Sequence, residues 1–579
     1  MSIKEDLLRG HREGHLLEAV FAGVLADSGE RSTVAMELVT LHNDGLLDVV
    51  EAFESLENNP SASVDFFLTR HVFEEALPDL VASVPSVMRC ALGLYREAGQ
   101  DLAAGSILAS LDRFLGKDPS RPRPALAEIE SSPDDFADLL PCVLVAGSRT
   151  DIEFFTAQAI RLSQENNIEL RGRAVFSLGR LAWPDGAVVP DDVIAALERS
   201  ASAETDDQLL SGVVRSGVAL VRHDGAQEPR VVEAVSTALL KGCDCTLHAA
   251  AEVLAFAESD IPASLRNVLL TNLSRVRPAS TRTLDSLDFG ISKLLGGSDP
   301  DPAIRLLEDL LLASPTELTM EAFDSTAREL MKNKALMSKI MTRWFLTGER
   351  ALCDGVREIA SASHDERVLL QIDLAEIEPA DPVRVLFVAR KAVGYLFFQP
   401  VSAAMVLTSL MRATKEDEVR SQLVQLLFDP LLLSFTGKVR EFVLQQSQLE
   451  CAEVRSALEQ ALKSIDNYLD DLSSVGNLPA LHPSEAHREA HGRHMTRLMA
   501  ESWKAAEAQS VLLSLVSKSV LLYGRKSISY VYESDGHSHR RETPLHKHST
   551  EMEFPRMLYL DPVGLDYMLR VFRNEKMNT

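Results

Sequence analysis

The sequence predicts a mainly α protein: a curved α-solenoid of stacked helical hairpins, closed by a small C-terminal α+β module. Three observations predict it. Hydrophobic residues make up 46% of the chain but aromatics only 6%, a Leu/Ala/Val-rich balance that favours helices over a β-sandwich. Apolar residues recur at three- and four-residue steps through residues 1–472, the signature of amphipathic helices. Beyond that array the composition changes: five of the eight tyrosines and eight of the fifteen histidines lie after residue 481. The expected division is an array over 1–472, a linker over 473–484, a long helix or helix pair over 485–523, and a β-hairpin with a terminal helix over 524–579.

The stretch from Thr150 to Pro184 reads as one complete hairpin. Thr150 and Glu153 form a capping box for the first helix. Ile152, Phe155, Ala159 and Leu162 make its apolar stripe. Asn166 with Glu169 caps the second helix, whose stripe is Ala174, Val175, Leu178, Leu181 and Ala182; Pro184, Asp185 and Gly186 stop it. Neither helix can bury its stripe alone, so the pair must lean on another pair. The run from Leu170 to Leu181, with Arg171, small and apolar residues and then Leu178-Gly179, resembles the second helix of a HEAT repeat. That resemblance covers one full repeat and several degenerate ones. It implies a HEAT-like array that offers a curved surface to a protein partner.

Helices are expected ahead of this hairpin at 7–26, 32–42, 45–56, 64–76, 85–98, 103–115 and 134–146, with a loop at 116–124. After it they are expected at 191–200, 207–221, 229–240, 246–257, 262–276, 281–295 and 302–312. Several start with Asp, Ser or Thr near Pro, as helix starts do. A loop at 296–302 separates these from helices at 320–331, 337–347, 350–360, 365–375, 382–398 and 401–412. The 382–398 segment is unusually apolar and aromatic. Glu418-Val-Arg-Ser421 recurs as Glu453-Val-Arg-Ser456, each opening a helix, which is the clearest internal repeat.

After the helical 485–522 stretch the period becomes two. Ser527 to Tyr532 alternates, Ser534-Asp-Gly536 is a turn, and 537–548 returns as the partner strand. Residues 551–560 are expected to form a third strand. Asp561 caps a last helix with Pro562 at its first position and Leu565, Met568, Leu569 and Phe572 on one face.

The net charge is −26. Residues from His482 onward carry 14 Lys and Arg against 12 Asp and Glu, leaving 45 against 73 in the rest. A polyanionic array repels phosphate backbones and attracts partners with a basic surface. HEAT-like arrays in some DNA glycosylases hold duplex in a basic groove, and no matching groove is visible here. No run reaches the roughly 20 apolar residues of a membrane span. The six scattered cysteines read as reduced, buried thiols of a cytoplasmic protein.

Complete catalytic motifs are not found. His487-Arg-Glu-Ala-His491 misplaces the glutamate that a zincin needs, and Gly296-Gly297 leads to Ser-Asp-Pro rather than Gly-Lys-Ser. Cys243-Asp-Cys245 with His248 reads as buried thiols at a helix start. His537, His539, His546 and His548 are spaced so that paired strands could gather them on a metal. Arg540, Arg541 and Lys547 among them favour a solvated hairpin instead, so no metal or other cofactor is expected. Arg525, Lys526, Arg540 and Arg541 with Tyr530 and Tyr532 form the one basic, aromatic neighbourhood. These six are the candidate partner contacts, for protein first and for nucleic acid as the disfavoured alternative. The expected function is a non-enzymatic interaction scaffold or adaptor in a multi-protein system.

Overall fold

The computed structural model describes residues 3–577 apart from 27–30, 59–62, 100, 102, 185, 257–260, 363–367, 379–380, 477–482, 509–518, 522–525, 533–537 and 545–552. Backbone contacts divide the chain into two units. One is Met1–Met337 with Arg350–Ser363; the other is Ser338–Glu349 with His364–Thr579.

The first unit is a double layer of helices. Ser106–Lys117, Leu140–Ser148, Ile168–Leu178, Asp207–His223, Asp244–Phe256, Thr281–Leu295 and Asp324–Lys332 succeed one another in one layer. Ile152–Leu162, Asp191–Ala203, Glu228–Lys241, Ala263–Leu273 and Asp301–Ala313 do so in the other. Each helix leans on its counterpart in the next hairpin. Hydrogen bonds between neighbouring hairpins follow steps of similar length. Ala182 N donates to Ser148 Oγ across 34 residues, and Ser216 Oγ to Val175 O across 41. A stack held by next-neighbour contacts of similar sequence separation is what a repeat array is, physically. Where helices touch, small residues allow it: a Cβ on Gly179 would lie 2.6 Å from Ser216 Cα.

Neighbouring hairpins also cap each other. Asp288, 8% exposed, accepts from Ser325 N and Thr326 N at 2.8 Å each, while Thr326 Oγ1 donates to Asp288 O at 3.1 Å. Asp207 repeats the device on Cys243 N, Cys245 N and Thr246 N, with Thr246 Oγ1 on Asp207 O. The first amides of a helix lack intrahelical partners, and here the preceding hairpin supplies them.

Several boundaries differ from expectation for identifiable reasons. The caps of the reference hairpin are Asp151 and Asn167, each one residue later than expected, because their side chains reach Phe154 N and Leu170 N. Its second helix ends at Leu178, before Leu181 and Ala182. The 116–124 loop contains the start of a helix, Pro122–Ser131. Residues 368–373 are not helical where 365–375 was expected to be. There Ile372 N and Asp373 N donate to Ser409 Oγ and Thr342 Oγ1, and Ser402 Oγ donates to Val368 O. Tertiary hydrogen bonds outcompete helix formation in that segment. The Glu-Val-Arg repeat has a structural reason. Arg420 and Arg455 fold back onto the carbonyls of Thr414 and Glu450, closing the turn that precedes each helix. Arg171 does the same on Glu165 O.

In the second unit, the apolar helix Pro382–Leu396 is buried over most of its length. A helix hydrophobic all round needs cover on every side. One cover comes from the far end of the chain. Helix Pro562–Asn574 packs on it, with Leu565 and Leu569 buried, and a Cβ on Gly394 would meet Phe572 Cβ at 3.1 Å. Lys391, 0% exposed, donates from Nζ to Arg573 O and Glu575 O at 2.7 Å each. A cation at a helix C-terminus also complements its dipole. Arg390 makes a two-pronged pair with Glu575, and Arg573 Nε donates to Gly394 O. Upstream, Glu553 accepts from Gly437 N and Lys438 N, capping helix Lys438–Ser447.

Between departure and return lie helix Glu485–Ala508 and three antiparallel strands, Ser519–Leu521, Lys526–Tyr532 and Ser538–Pro544. The expected strand pair over 527–548 thus has its counterpart, but the expected third strand does not. Met557–Leu560 is a helical turn, and Ser519–Leu521 takes the third place. The expected C-terminal α+β module is therefore corrected. The terminal helix finds its main partner in the array at Pro382–Leu396 rather than in these strands.

Two outcomes follow. Asp288→Ala orphans two buried amides and should lower stability by about 1–3 kcal/mol, read as a lower urea midpoint at constant slope. Lys391→Met removes charge-assisted hydrogen bonds worth about 1.5–3 kcal/mol each. Amide exchange across 562–574 should speed up at least tenfold while exchange in the first unit is unchanged.

Candidate protein-interaction groove

Two hollows adjoin on the first layer of the first unit. One, of about 500 Å³, lies between Ile168–Leu178 and Asp207–His223, lined by Gly172, Arg173, Phe176, Ser211, Gly212 and Arg215 among others. The second, of about 530 Å³, runs over the starts of Asp244–Phe256 and Thr281–Leu295, past Asp244, His248 and Thr283. Gln208, Ser211 and Arg215 line both, so the two form one groove across four successive helices. The sequence builds it with glycine: Gly172 and Gly212 face each other where the helices approach, leaving the surface above them open.

Charged groups in the groove are held in place. Arg173 pairs with Asp138 at 2.5 Å, and Arg215 pairs with Glu252. His248 bridges Glu252 at 3.5 Å and Thr283 Oγ1 at 3.2 Å. Arg180 stacks over the Phe176 ring at 4.2 Å. Burial, and then the Arg215 charge, push its guanidinium below the ordinary range. On the same layer Phe256 and Phe289 stack at 5.8 Å while 64% and 48% exposed. Arginines and aromatic rings are the residue types enriched where binding energy concentrates at protein interfaces.

The candidate contacts named from the sequence lie elsewhere. Lys526, Tyr530 and Tyr532 are on the middle strand, and His539, Arg540 and Arg541 on the strand beside it. The register sets Tyr530 opposite Arg540, Ser529 opposite Arg541 and Val531 opposite His539; Arg540 is exposed. Arg525, His537, His546 and His548 lie outside the described residues. Among the described residues no three His, Cys, Asp or Glu side chains gather as a metal site. His487, His491 and His494 are exposed on helix Glu485–Ala508.

No disulfide is found among the described residues. Cys90 and Cys353 are buried, but Cys243, Cys245 and Cys451 are exposed, correcting the expectation of buried thiols. Burial raises the Cys142 thiol to about 12. The groove residues Arg173, Phe176 and Arg215, and the separate Phe256–Phe289 pair, were missed because they are far apart in sequence. Only aligning successive hairpins would have brought them together.

No family model matches the sequence, and no curated protein matches it. Among solved structures the chain is similar to an engineered protein, at 13% identity over 80% of this chain and 99% of that one, TM-score 0.21. It is also similar to a chain from work on a phosphorylation switch controlling the interaction between cadherin and beta-catenin. There the identity is 12%, over 80% of this chain and 100% of that one, TM-score 0.19. A circular tandem repeat protein is similar at 13% identity, over 82% of this chain and 99% of that one, TM-score 0.19. The helical-repeat fold is read from the stacked hairpins themselves. At these scores the likenesses say nothing of what it binds. No described helix is long and apolar enough to cross a membrane.

Asp207, beside the groove, gives a pH prediction. Burial pushes its carboxyl up, but hydrogen bonds from Thr246, Cys243 and Cys245 outweigh it and hold the group below the ordinary value. A depressed carboxylate contributes stability that is present above its unfolded value, about 3.9, and lost as pH falls through the folded value. Asp207→Asn should therefore flatten the fall in melting temperature that acidification below about pH 4 causes in the parent chain.

Proposed function

We propose that this chain is a non-enzymatic protein-interaction scaffold, a subunit of a multi-protein system, that receives a partner in the groove across helices Ile168–Leu178 to Thr281–Leu295. The observation that carries the reading is the conjunction of a continuous groove, clamped arginines and an exposed Phe256–Phe289 stack. Solvent-facing aromatic pairs of this kind are costly unless something covers them. The array's excess of 73 acidic over 45 basic residues outside the C-terminal part selects a partner with a basic surface. Lys526, Tyr530, Tyr532, Arg540 and Arg541 supply a second contact of opposite charge. A reducing, cytoplasmic setting suits scattered cysteines that form no disulfide among the described residues.

The test is affinity capture from the source organism with the parent chain and with Phe256→Asp/Phe289→Asp, followed by binding measurements on purified candidates. A partner held by the parent chain should lose at least tenfold in affinity, about 1.4 kcal/mol, in the variant. Equal affinity for both forms, or no captured protein, sinks the proposal.

A further inference from the structure

Helix Glu485–Ala508 is exposed along nearly all its described side chains, yet its sequence is not that of a solvated helix. Met495, Leu498, Met499, Ser502 and Trp503 follow three- and four-residue steps and share one side. Leu498, Met499 and Trp503 are 43%, 71% and 75% exposed. The apolar surface continues onto the returning segment. The His491 ring meets Tyr559 edge-on at 5.9 Å, and Tyr559, Leu560 and Val563 are exposed. Contiguous apolar surface on a helix, bounded by an exposed tryptophan, marks an interface.

We infer that this helix pairs antiparallel with the same helix of a second copy of the chain, about a two-fold axis between Arg497 and Leu498. Two independent pairs of residues fix that occupant. Gly492 and Trp503 lie on the same border of the stripe, about three turns apart, and are equidistant from the axis. Among the described residues nothing lies within 4 Å of where a Cβ on Gly492 would sit. Each helix thus carries one notch and one knob, and the axis brings the knob of each copy into the notch of the other. His494 and Glu501 lie on the opposite border and are equidistant from the same axis. Each carboxylate therefore faces the other copy's imidazole. A two-fold interface requires such self-complementarity of a single patch. A partner helix of unrelated sequence would need it only by chance. The thioethers of Met495 and Met499 suit the remaining contacts, because they adapt to irregular gaps and pack well on aromatic rings. Contact along one helix about 36 Å long falls near the lower end of specific interfaces. The pairing is accordingly reversible, with Kd in roughly the micromolar range.

The inference does not depend on the groove, and its test is separate. Sedimentation of the full chain between about 1 and 100 µM should show a monomer–dimer equilibrium. Trp503→Ala removes the knob and Gly492→Trp fills the notch, so each should raise Kd at least tenfold. The double variant Gly492→Trp/Trp503→Ala exchanges knob and notch and should return Kd to within about threefold of the parent. Melting of the array should be equal in all forms, since the helix is exposed. A chain monomeric at 100 µM, single variants that dimerise like the parent, or a double variant as weak as the singles would each overturn the inference.

Discussion

Burial of each helical stripe against the hairpin before and the hairpin after is the interaction on which everything else rests. A stripe of the kind seen at Phe155, Ala159 and Leu162 is buried only because its neighbours exist. Each fully buried Leu or Phe contributes about 1.5–3 kcal/mol, but only with those neighbours in place. The polar groups obey the same rule. Asp207 and Asp288 spend their carboxylates on the first amides of the following hairpin rather than on their own helices. Packing and capping therefore share one step along the chain, so a defect in either is felt mainly by the adjacent hairpin.

Such a design has difficulty wherever a helix lacks a neighbour on one side. Pro382–Leu396 shows how the chain resolves it. Its tyrosine, phenylalanine and valines leave most of its surface unfit for water, and Pro562–Asn574 returns across more than 180 residues to close the gap. Buried Lys391 makes that closure specific. An ammonium buried without partners would be costly, so the terminal carbonyls must sit where Lys391 can reach them. Gly394 has no side chain, and that is what lets the backbone at Phe572 and Arg573 approach. Hydrophobic demand brings the helix back; the lysine and the glycine set its position.

How far the sequence could be read follows from the range of the forces involved. Helical periodicity is local, so the array, the excessively apolar helix and the Asp561-Pro562 helix start could all be recognised. The alternation at 527–532 is equally local. The caps of the reference hairpin were displaced by one residue, because Thr150 and Asp151, or Asn166 and Asn167, are chemically interchangeable as caps. Geometry alone picks Asp151 and Asn167. Segment 368–373 was misread because Ser402, Ser409 and Thr342, distant in sequence, compete for its backbone. The terminal helix was assigned to the wrong neighbour for the same reason: nothing within 562–574 announces Lys391. The groove was invisible because its members recur once per hairpin. The repeated Glu-Val-Arg phrase and Arg171 show that such periodic roles exist, since all three arginines close the turn before their helix.

The two exposed surfaces differ in a way that separates their occupants. In the groove Arg173 and Arg215 are already clamped by Asp138 and Glu252, and the guanidinium of Arg180 sits over the ring of groove residue Phe176. Side chains immobilised beforehand lose little entropy on binding, and the net acidic charge of the array as a whole disfavours a polyanion and attracts a basic partner. The stripe on Glu485–Ala508 has the opposite character. Its anchors are Leu498, Met499 and Trp503, with few charges on that side, so long-range attraction contributes little and shape must decide. A notch and a knob at equal distances from one point solve that problem for a copy of the same helix and for little else. Electrostatics therefore choose the occupant of one surface and steric self-fit the occupant of the other, so neither competes for the other's partner.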